Sequence, residues 1–300
     1  MRWLRLLTLA VALLGIVGCA SETGSSATPS TSSGVASSSA VPTESAGATY
    51  VHLGDSYAAG TGVLPVVGGS PFLCQRSALN FGHLIAQRRD LAIDDVSCAG
   101  ATTADLTTDQ YYGVGPQLDA LGPDTRLVTM MLGGNDENTY GGAISKCSDL
   151  GRATGGVGSP CRDRYGDELT APIDDDIRPA LTDVLRRIRE QAPNARVVIV
   201  GYPWILPAAD GCYPTMQVAA GDVGYLRDLQ ATLNDAVRRA ADDAGATFVD
   251  MAPASEGHDA CAGADRWIEP QQGSSARITL HPNATGQQAL ADRVMSVIGR

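Results

Sequence analysis

Residues 49–56 read Thr-Tyr-Val-His-Leu-Gly-Asp-Ser, a short strand-like run that ends in Gly54-Asp55-Ser56. Further runs rich in β-branched residues follow at long intervals, over residues 91–97, 126–132, 196–200 and 246–249. Such runs predict strands, and the intervals are long enough for the crossover helices that parallel strands require. Helix patterns are clearest over 174–191, over 222–244 and after Pro282. The sequence therefore predicts one α/β layer fold with a parallel sheet.

Three short polar and glycine-rich motifs stand where predicted strands end. They are Gly54-Asp55-Ser56-Tyr57, Cys98-Ala99-Gly100-Ala101-Thr102 and Gly133-Gly134-Asn135-Asp136. Taken singly, the first is often only a helix N-cap and the third only a turn. Ligands of open parallel sheets bind outside the carboxyl ends of the strands, so the three motifs together predict one site at that edge.

A serine in such a site needs a base to take its proton, and the chain has four histidines. His52 lies inside the first predicted strand, which favours a packed structural residue. His83 falls in a helical segment and His258 in a loop, where surface roles are the default. His281 stands just before the last predicted helix. It is either a helix-entry residue or the base that a loop returns to the sheet edge.

The N-terminus has the pattern of an exported protein. Arg2 and Arg5 precede an apolar stretch over residues 6–18, which is too short to span a bilayer comfortably and has the length of a secretory signal. Residues 1–18 are therefore interpreted as a lipoprotein signal peptide. Its end, Ile16-Val17-Gly18-Cys19, resembles the lipobox of bacterial lipoproteins and predicts acylation of Cys19. Ordinary cleavage nearby, with loss of Cys19, is the alternative.

Composition changes sharply after this segment. All but four of the 28 residues from 20 to 47 are Ser, Thr, Ala, Gly or Pro, a composition that cannot bury enough apolar surface to fold. Residues 19–47 are thus predicted to be a lipidated cysteine and a flexible tether, and residues 48–300 a single folded domain. Within that domain, residues 138–170 are rich in glycine and carry two cysteines, which indicates an insertion closed by a disulfide.

Charge and cysteine content narrow the function further. The chain carries 22 basic and 33 acidic residues, a net charge of -11, which argues against a nucleic-acid partner. Apart from Cys19, the chain has six cysteines, which are Cys74, Cys98, Cys147, Cys161, Cys212 and Cys261. They form no CxxC pair and no Cys/His cluster. An even number in an exported chain predicts disulfides rather than a zinc site. Spacing alone leaves their connectivity open.

Gly54-Asp55-Ser56, Gly100, Gly134-Asn135 and His281 in His-Pro-Asn occur in the order and spacing of the four blocks of the SGNH, or GDSL, hydrolases. The resemblance covers Tyr50 to the C-terminus and is greatest to secreted actinobacterial GDSL lipases and esterases, which share Gly-Asp-Ser-Tyr and Cys-x-Gly-Ala-Thr-Thr. It implies a three-layer, flavodoxin-like α/β fold with a central parallel sheet of about five strands. It also implies three disulfides paired in sequence order, Cys74–Cys98, Cys147–Cys161 and Cys212–Cys261.

The resemblance also implies a role for each block. Ser56 would attack an ester carbonyl, and His281 would take its proton and pass it to the leaving alcohol. The oxyanion would be held by the Ser56 and Gly100 N–H groups and by the Asn135 side chain. A glycine lets the oxyanion approach the backbone, and an amide donates without carrying charge. The G-x-S-x-G elbow of α/β-hydrolases is absent, since the fifth position is Ala58.

One position departs from the family pattern. Members often have Asp three residues before the histidine, and here that residue is Ile278. We therefore expect Nδ1–H of His281 to donate to a main-chain carbonyl, that of Ile278 or a neighbour. The carboxylates that could act instead are Asp250, Asp259, Asp265 and Glu269.

The resulting hypothesis is an extracytoplasmic, membrane-tethered serine ester hydrolase, a lipase or esterase, with phospholipids among its candidate substrates. A carbohydrate or cell-wall O-deacetylase is the second enzyme hypothesis. A non-catalytic lipoprotein that binds glycans or lipids is the third, although a binder has no need of all four blocks. The expected protein is a monomer without cofactor or metal. Its pocket is expected to be shaped by loops over residues 62–73, 137–170 and 203–222.

Overall fold

The computed structural model describes residues 50–299 of the chain. The signal peptide over residues 1–18, the acylated Cys19 and the tether up to residue 47 are predictions that lie outside these residues. The same holds for the exact start of the folded domain at residue 48. The described residues thus belong entirely to the domain that the sequence predicts to fold.

A five-stranded sheet forms the centre of the domain. Its strands are β1 (Tyr50–Gly54), β2 (Ile93–Asp95), β3 (Leu127–Met131), β4 (Arg196–Val200) and β5 (Thr247–Val249). All neighbours are parallel, in the order β2-β1-β3-β4-β5. Every residue of β1 and β3 is buried, as expected of parallel strands covered on both faces. The predicted sheet and its five strands are confirmed.

Seven α-helices accompany the sheet in residues 50–299. They are α1 (Ser56–Ala59), α2 (Phe81–Arg89), α3 (Thr139–Ala153), α4 (Pro160–Tyr165), α5 (Arg178–Gln191), α6 (Val223–Ala244) and α7 (Ala284–Ile298). Helix α2 packs on α7, and α5 packs on α6. The α6 side chains that face inward recur every three or four residues, at Leu226, Leu229, Leu233 and Val237. The predicted three-layer, flavodoxin-like α/β fold is thus confirmed.

The strand order places a crevice at the carboxyl ends of β1 and β3. From β1 the chain passes first to β2 on one side and then to β3 on the other, and this reversal opens a binding crevice. Gly54 closes the end of β1 at φ 124°, where an added Cβ would lie 2.2 Å from the Met131 carbonyl oxygen. The Gln117 side-chain amide accepts the Gly54 N–H at 2.7 Å and donates to the Gly54 carbonyl at 3.0 Å. Only glycine fits at position 54, and this residue therefore fixes the direction in which the chain leaves β1.

The helix predicted over residues 174–191 begins later in the structure. Residues Ile173–Ile177 form a π-helical turn, and regular α-helix starts at Arg178. The two isoleucines are buried, whereas Asp174 contacts Arg178 and Arg239. The acidic run thus supplies surface ion pairs ahead of the helix.

Three disulfides join the pairs that the resemblance implies. Cys74–Cys98 links the segment after α1 to the loop after β2, and Cys212–Cys261 links the loops after β4 and β5. Cys147–Cys161 joins α3 to α4, so the insertion over residues 138–170 is a pair of stapled helices. Among the residues described, no helix has the length and apolarity needed to cross a membrane.

Candidate active site

Ser56 is the first residue of α1, directly after the end of β1. Asp55 caps this helix, because its Oδ1 accepts the Tyr57 N–H at 2.8 Å. The helix ends after one turn at Gly60, which is left-handed with φ 67°. This short turn places the Ser56 Oγ 2.8 Å from Nε2 of His281, a residue 225 positions later in the chain.

His281 lies in the loop before α7, and its ring has an acceptor on the other side. Nδ1 is 2.8 Å from the carbonyl oxygen of Thr279. A carbonyl only accepts, so the proton of the neutral ring resides on Nδ1 and leaves the Nε2 lone pair for the Ser56 hydroxyl. Burial lowers the pKa of His281, and the Thr279 carbonyl opposes this only in part. The expected main-chain acceptor is therefore present, next to Ile278.

The four alternative carboxylates do not bind the His281 ring in the described part of the chain. Asp250 and Asp259 accept nearby backbone N–H groups in their own loops, and the Asp265 backbone carbonyl contacts His258. Glu269 is buried and binds Ser274 and Ser275 through its side chain. Its backbone, however, pairs with the site loop, since Glu269 N–H donates to the His281 carbonyl at 3.0 Å and its carbonyl accepts from Leu280 at 2.7 Å.

Asn135 follows β3 and lines the same pocket as Ser56 and His281. One of its amide hydrogens goes to the Ala101 carbonyl at 3.0 Å, which leaves the second N–H free to donate. Gly100, directly before Ala101, has φ 81° and is exposed. It stands beside the pocket without lining it. In residues 50–299, neither the Ser56 nor the Gly100 backbone N–H donates to another residue.

Sequence reasoning missed Tyr202, which connects two of the motifs. Its hydroxyl donates to Asp55 Oδ2 at 2.5 Å and accepts the Gly134 N–H at 2.9 Å. Burial raises the pKa of Asp55 to about 7, against the opposing hydrogen bond from Tyr202. Tyr202 comes two residues after β4, at the same sheet edge as the three motifs. That position is the signal that could have found it.

Tyr57 and Asp136 also support the site. The Tyr57 hydroxyl donates to the Leu280 carbonyl at 2.5 Å, and its ring centre lies 5.1 Å from that of His281. Asp136 accepts the Thr103 hydroxyl at 2.5 Å and the Thr103 N–H at 3.1 Å. These contacts fix the His281 loop on α1 and the Asn135 loop on the segment that follows β2.

The other three histidines have structural partners. His52 is fully buried in β1, with Nδ1 2.8 Å from Thr129 Oγ1, as the packed-strand interpretation predicts. His83 is half-buried and lies 3.3 Å from Asp95, so it is more than a surface residue. His258 stacks on Trp267. His281 is the histidine that the fold brings to Ser56.

The pocket beside Ser56 and His281 has a volume of about 120 Å³. Its apolar wall comes from Tyr140 and Ile144 on α3 and from Ile205 after β4. Two of the three predicted loops, 137–170 and 203–222, therefore contribute to it, whereas residues 62–73 do not. A hydroxyl paired with a neutral imidazole, beside a free amide donor and an apolar wall, is an arrangement suited to acyl transfer.

Sequence comparison finds one family model and several characterised relatives. Residues 52–289 match the model of the GDSL-like Lipase/Acylhydrolase family. Lipase 2 of Streptomyces coelicolor is 51% identical over 253 residues, which are 83% of this chain and 85% of that protein. An esterase of Streptomyces scabiei is 31% identical and aligns with 99% of this chain and 96% of its own.

Solved structures show the same similarity. Phospholipase A1 from Streptomyces albidoflavus superposes with a TM-score of 0.71 at 28% identity, covering 84% of this chain and 99% of that one. An extracellular lipase from Streptomyces rimosus gives a TM-score of 0.70 at 26% identity, covering 82% and 98%.

Proposed function

Because the chain belongs to the GDSL-like lipase/acylhydrolase family and is a carboxylic ester hydrolase, we propose that Ser56 is its nucleophile and His281 its general base. The observation that carries this proposal is the 2.8 Å contact between Ser56 Oγ and His281 Nε2. It joins the two ends of the domain at the carboxyl edge of the sheet, and the Thr279 carbonyl orients the imidazole for it.

In the proposed reaction, Ser56 Oγ attacks the ester carbonyl carbon while its proton moves to His281 Nε2. Collapse of the tetrahedral intermediate breaks the bond to the alcohol, which leaves with the proton from His281. Water then repeats the sequence on the acyl-enzyme, with His281 again taking and returning a proton. The acid is released and Ser56 is restored.

The oxyanion formed in each half-reaction needs donors that are already in place. The Ser56 and Gly100 N–H groups and the second Asn135 amide hydrogen are the proposed donors, since none of the three is engaged by another described residue. Donors fixed in advance stabilise the developing charge without reorganising. Tyr202 and Asp136 are positioning residues in this scheme, because they hold the two loops that carry the donors.

For the substrate, we propose an acyl ester of a lipid. The apolar pocket wall suits an acyl chain, and the similar proteins include lipases and a phospholipase A1. A chain-length series of p-nitrophenyl esters tests this. Rates that peak at acetyl and vanish for longer chains would favour the O-deacetylase alternative.

A fluorophosphonate probe tests the nucleophile directly. We expect it to label the parent protein at Ser56 and to label neither Ser56→Ala nor His281→Ala, because the hydroxyl is a weak nucleophile without its base. Ser296→Ala, which changes an exposed serine on α7, should be labelled like the parent. Labelling that persists in Ser56→Ala would contradict the assignment.

We also propose that the protein acts outside the cytoplasm, held at the membrane by acyl chains on Cys19. Its six domain cysteines are all paired, which is typical of proteins that fold in an oxidising compartment. The lipobox-like end of the signal segment supports the anchor.

A further inference from the structure

Large apolar side chains stand exposed on two loops that border the proposed site. On the first loop, Phe72 is 86% exposed, Leu64 69% and Leu73 52%, and on the second loop Tyr111 and Tyr112 are exposed. These five residues are called the rim patch. Single exposed hydrophobic residues are ordinary on protein surfaces, whereas several of them clustered around a site indicate a binding surface.

The first of the two loops is attached to the segment that carries His281. It closes like a hairpin, because Val66 pairs with Ser77 and the Ala78 N–H donates to the Pro65 carbonyl at 2.8 Å. At its base, a Cβ added to Gly62 would lie 3.1 Å from the side chain of Ile278. Leu64 and Phe72 therefore project from a loop that rests on the residues just before His281.

Both loops are attached to the residue that precedes Gly100. The Ala99 N–H donates to the Cys74 carbonyl at 3.1 Å, and the Cys74–Cys98 disulfide reinforces this contact. From the other loop, the Tyr111 hydroxyl donates to the Ala99 carbonyl at 3.4 Å. The loops that carry the rim patch are thus attached to the residue before Gly100, a proposed oxyanion donor, and to Ile278 in the segment before His281.

The rim patch carries no charge, although the chain as a whole is acidic. Residues 57–75 and 110–118 contain no Asp, Glu, Lys, Arg or His, whereas the net charge of the chain is -11. The nearest cation in sequence, Arg76, is turned inward and donates to the Ser97 carbonyl at 2.6 Å. Charged side chains begin at the edges of the patch, where Arg266 and Glu269 line a pocket together with Leu64 and Asp109 precedes the second loop. Because these charges are few and of both signs, the patch suits neither a polyanion nor a basic partner.

Exposed leucine and phenylalanine side chains on one loop, with exposed tyrosines on the other, match the boundary between lipid chains and head groups. Apolar side chains gain from burial among the chains, while tyrosine places its ring at head-group level and its hydroxyl in water. We propose that the rim patch inserts into the surface of a zwitterionic phospholipid layer and so holds the pocket mouth on the lipid. The proposal rests on the proposed function for the position of the ester site, but not for binding itself.

Vesicle binding of matched variants tests the proposal. All proteins begin at residue 19 and carry Cys19→Ser, so that neither an acyl group nor the apolar segment of residues 6–18 contributes. The test variant is Leu64→Ser/Phe72→Ser/Leu73→Ser, and the control is Val157→Ser, a residue 72% exposed in the turn after α3. With phosphatidylcholine vesicles, we expect co-sedimentation to fall by about tenfold or more for the test variant and to stay at the parent level for the control.

Hydrolysis of a soluble ester checks that the test variant is intact. Its kcat/KM for p-nitrophenyl acetate should stay within about twofold of the parent, because the substituted side chains lie outside the pocket. Ser56→Ala should bind vesicles like the parent. The proposal of vesicle binding is therefore tested independently of the assignment of Ser56 as nucleophile.

A reporter in the patch gives a second, positive measurement. In Phe72→Trp, the indole emission should shift to the blue with vesicles and be quenched by brominated acyl chains, whereas Val157→Trp should show neither effect. Equal binding of the parent and the test variant, or no shift in Phe72→Trp, would overturn the proposal. A parent dimer that the triple substitution converts to a monomer would overturn it too, since the patch would then cover a second copy.

Discussion

His281 faces a neutral acceptor, the Thr279 carbonyl, where related sites often have an anion. A carbonyl orients the ring but stabilises imidazolium less than a carboxylate does, and burial further lowers the pKa of His281. In the proposed mechanism, His281 acts as a base only when its ring is neutral. We therefore expect kcat/KM to rise with pH through a limb below about 6.5 and to level off above it.

The acidic limb of that profile could also arise from Asp55, because burial raises the pKa of Asp55 to about 7. The two groups are distinguished by a variant. Initial rates on a soluble ester are to be measured across the pH range for the parent and for Asp55→Asn. The acidic limb should stay in place in the variant. A limb that disappears in Asp55→Asn would assign it to the aspartate instead.

Asn135 offers a second prediction at this scale. Replacement by alanine removes one proposed oxyanion donor and should lower kcat by about 10²–10³. Substrate KM should change little, since the donor acts mainly in the transition state. The control is Asn194→Ala, an exposed asparagine whose side chain reaches only the Pro123 carbonyl. Near-parent activity in Asn135→Ala would remove this residue from the oxyanion hole.

Individual residues also show which parts of the site could be predicted from the sequence and which could not. Ser56, His281 and Asn135 could be placed together because their motifs stand at strand ends and match a family pattern. For the acceptor of His281, the sequence predicted only Ile278 or a neighbour, and not Thr279 itself. The reason is Leu280, between Thr279 and His281, which has the left-handed φ of 62° that is not expected of a leucine. Tyr202 was missed because a buried tyrosine after a strand reads as core.

Among the elements, the strands were the most predictable part of the fold. The central strands β3 and β4 are short, nearly continuous apolar runs, as burial on both faces requires. The edge strand β2 is partly exposed and carries two aspartates. Helix starts were less predictable. Asp174 and its neighbours have the composition of a helix N-terminus, yet Ile173–Ile177 form a π-turn in which packing of the two isoleucines outweighs that preference.

The segment between β5 and α7 holds His281 through Glu269. Burial alone would raise the pKa of the Glu269 carboxyl, but hydrogen bonds from Ser274, Asn283 and Ser275 outweigh burial and hold it below its ordinary value. The group is thus ionised and bonded at neutral pH. Its contribution to stability is present above the unfolded pKa and is lost as the pH falls through the folded one.

Glu269→Ala should therefore act through the loop and not as loss of a catalytic acid. We expect a loss of about 1–3 kcal/mol in unfolding free energy, since buried donors lose their acceptor. Activity below the melting transition should fall less than about tenfold, whereas an inert triad acid costs on the order of 10⁴. The unfolding free energy from denaturant titration and the kcat/KM of Glu269→Ala are compared with those of the parent. Asp265→Ala, in the same segment, is the control. A loss near 10⁴ with stability retained would make Glu269 a catalytic residue.

For the molecule as a whole, the anchor proposal depends on one thiol. Cys19→Ser should prevent acylation and move the protein from the membrane fraction to the medium, because a single serine offers no site for the lipid. Radiolabelled palmitate and fractionation of the host cells measure both effects. Ser21→Ala, beside it in the sequence, should leave the distribution unchanged. Parent protein released freely into the medium would contradict the anchor.

The separation of Ser56 and His281 by 225 positions has a consequence during synthesis. A ribosome completes β1 and the serine early, whereas the imidazole emerges only with the last few dozen residues and then still has to dock beside α1. Domains form from the N-terminus as they are made, and contacts this distant in sequence close late. A nascent or truncated chain therefore carries a hydroxyl without its proton acceptor. Under the proposed mechanism and export, esters inside the producing cell are spared until the domain has folded outside it.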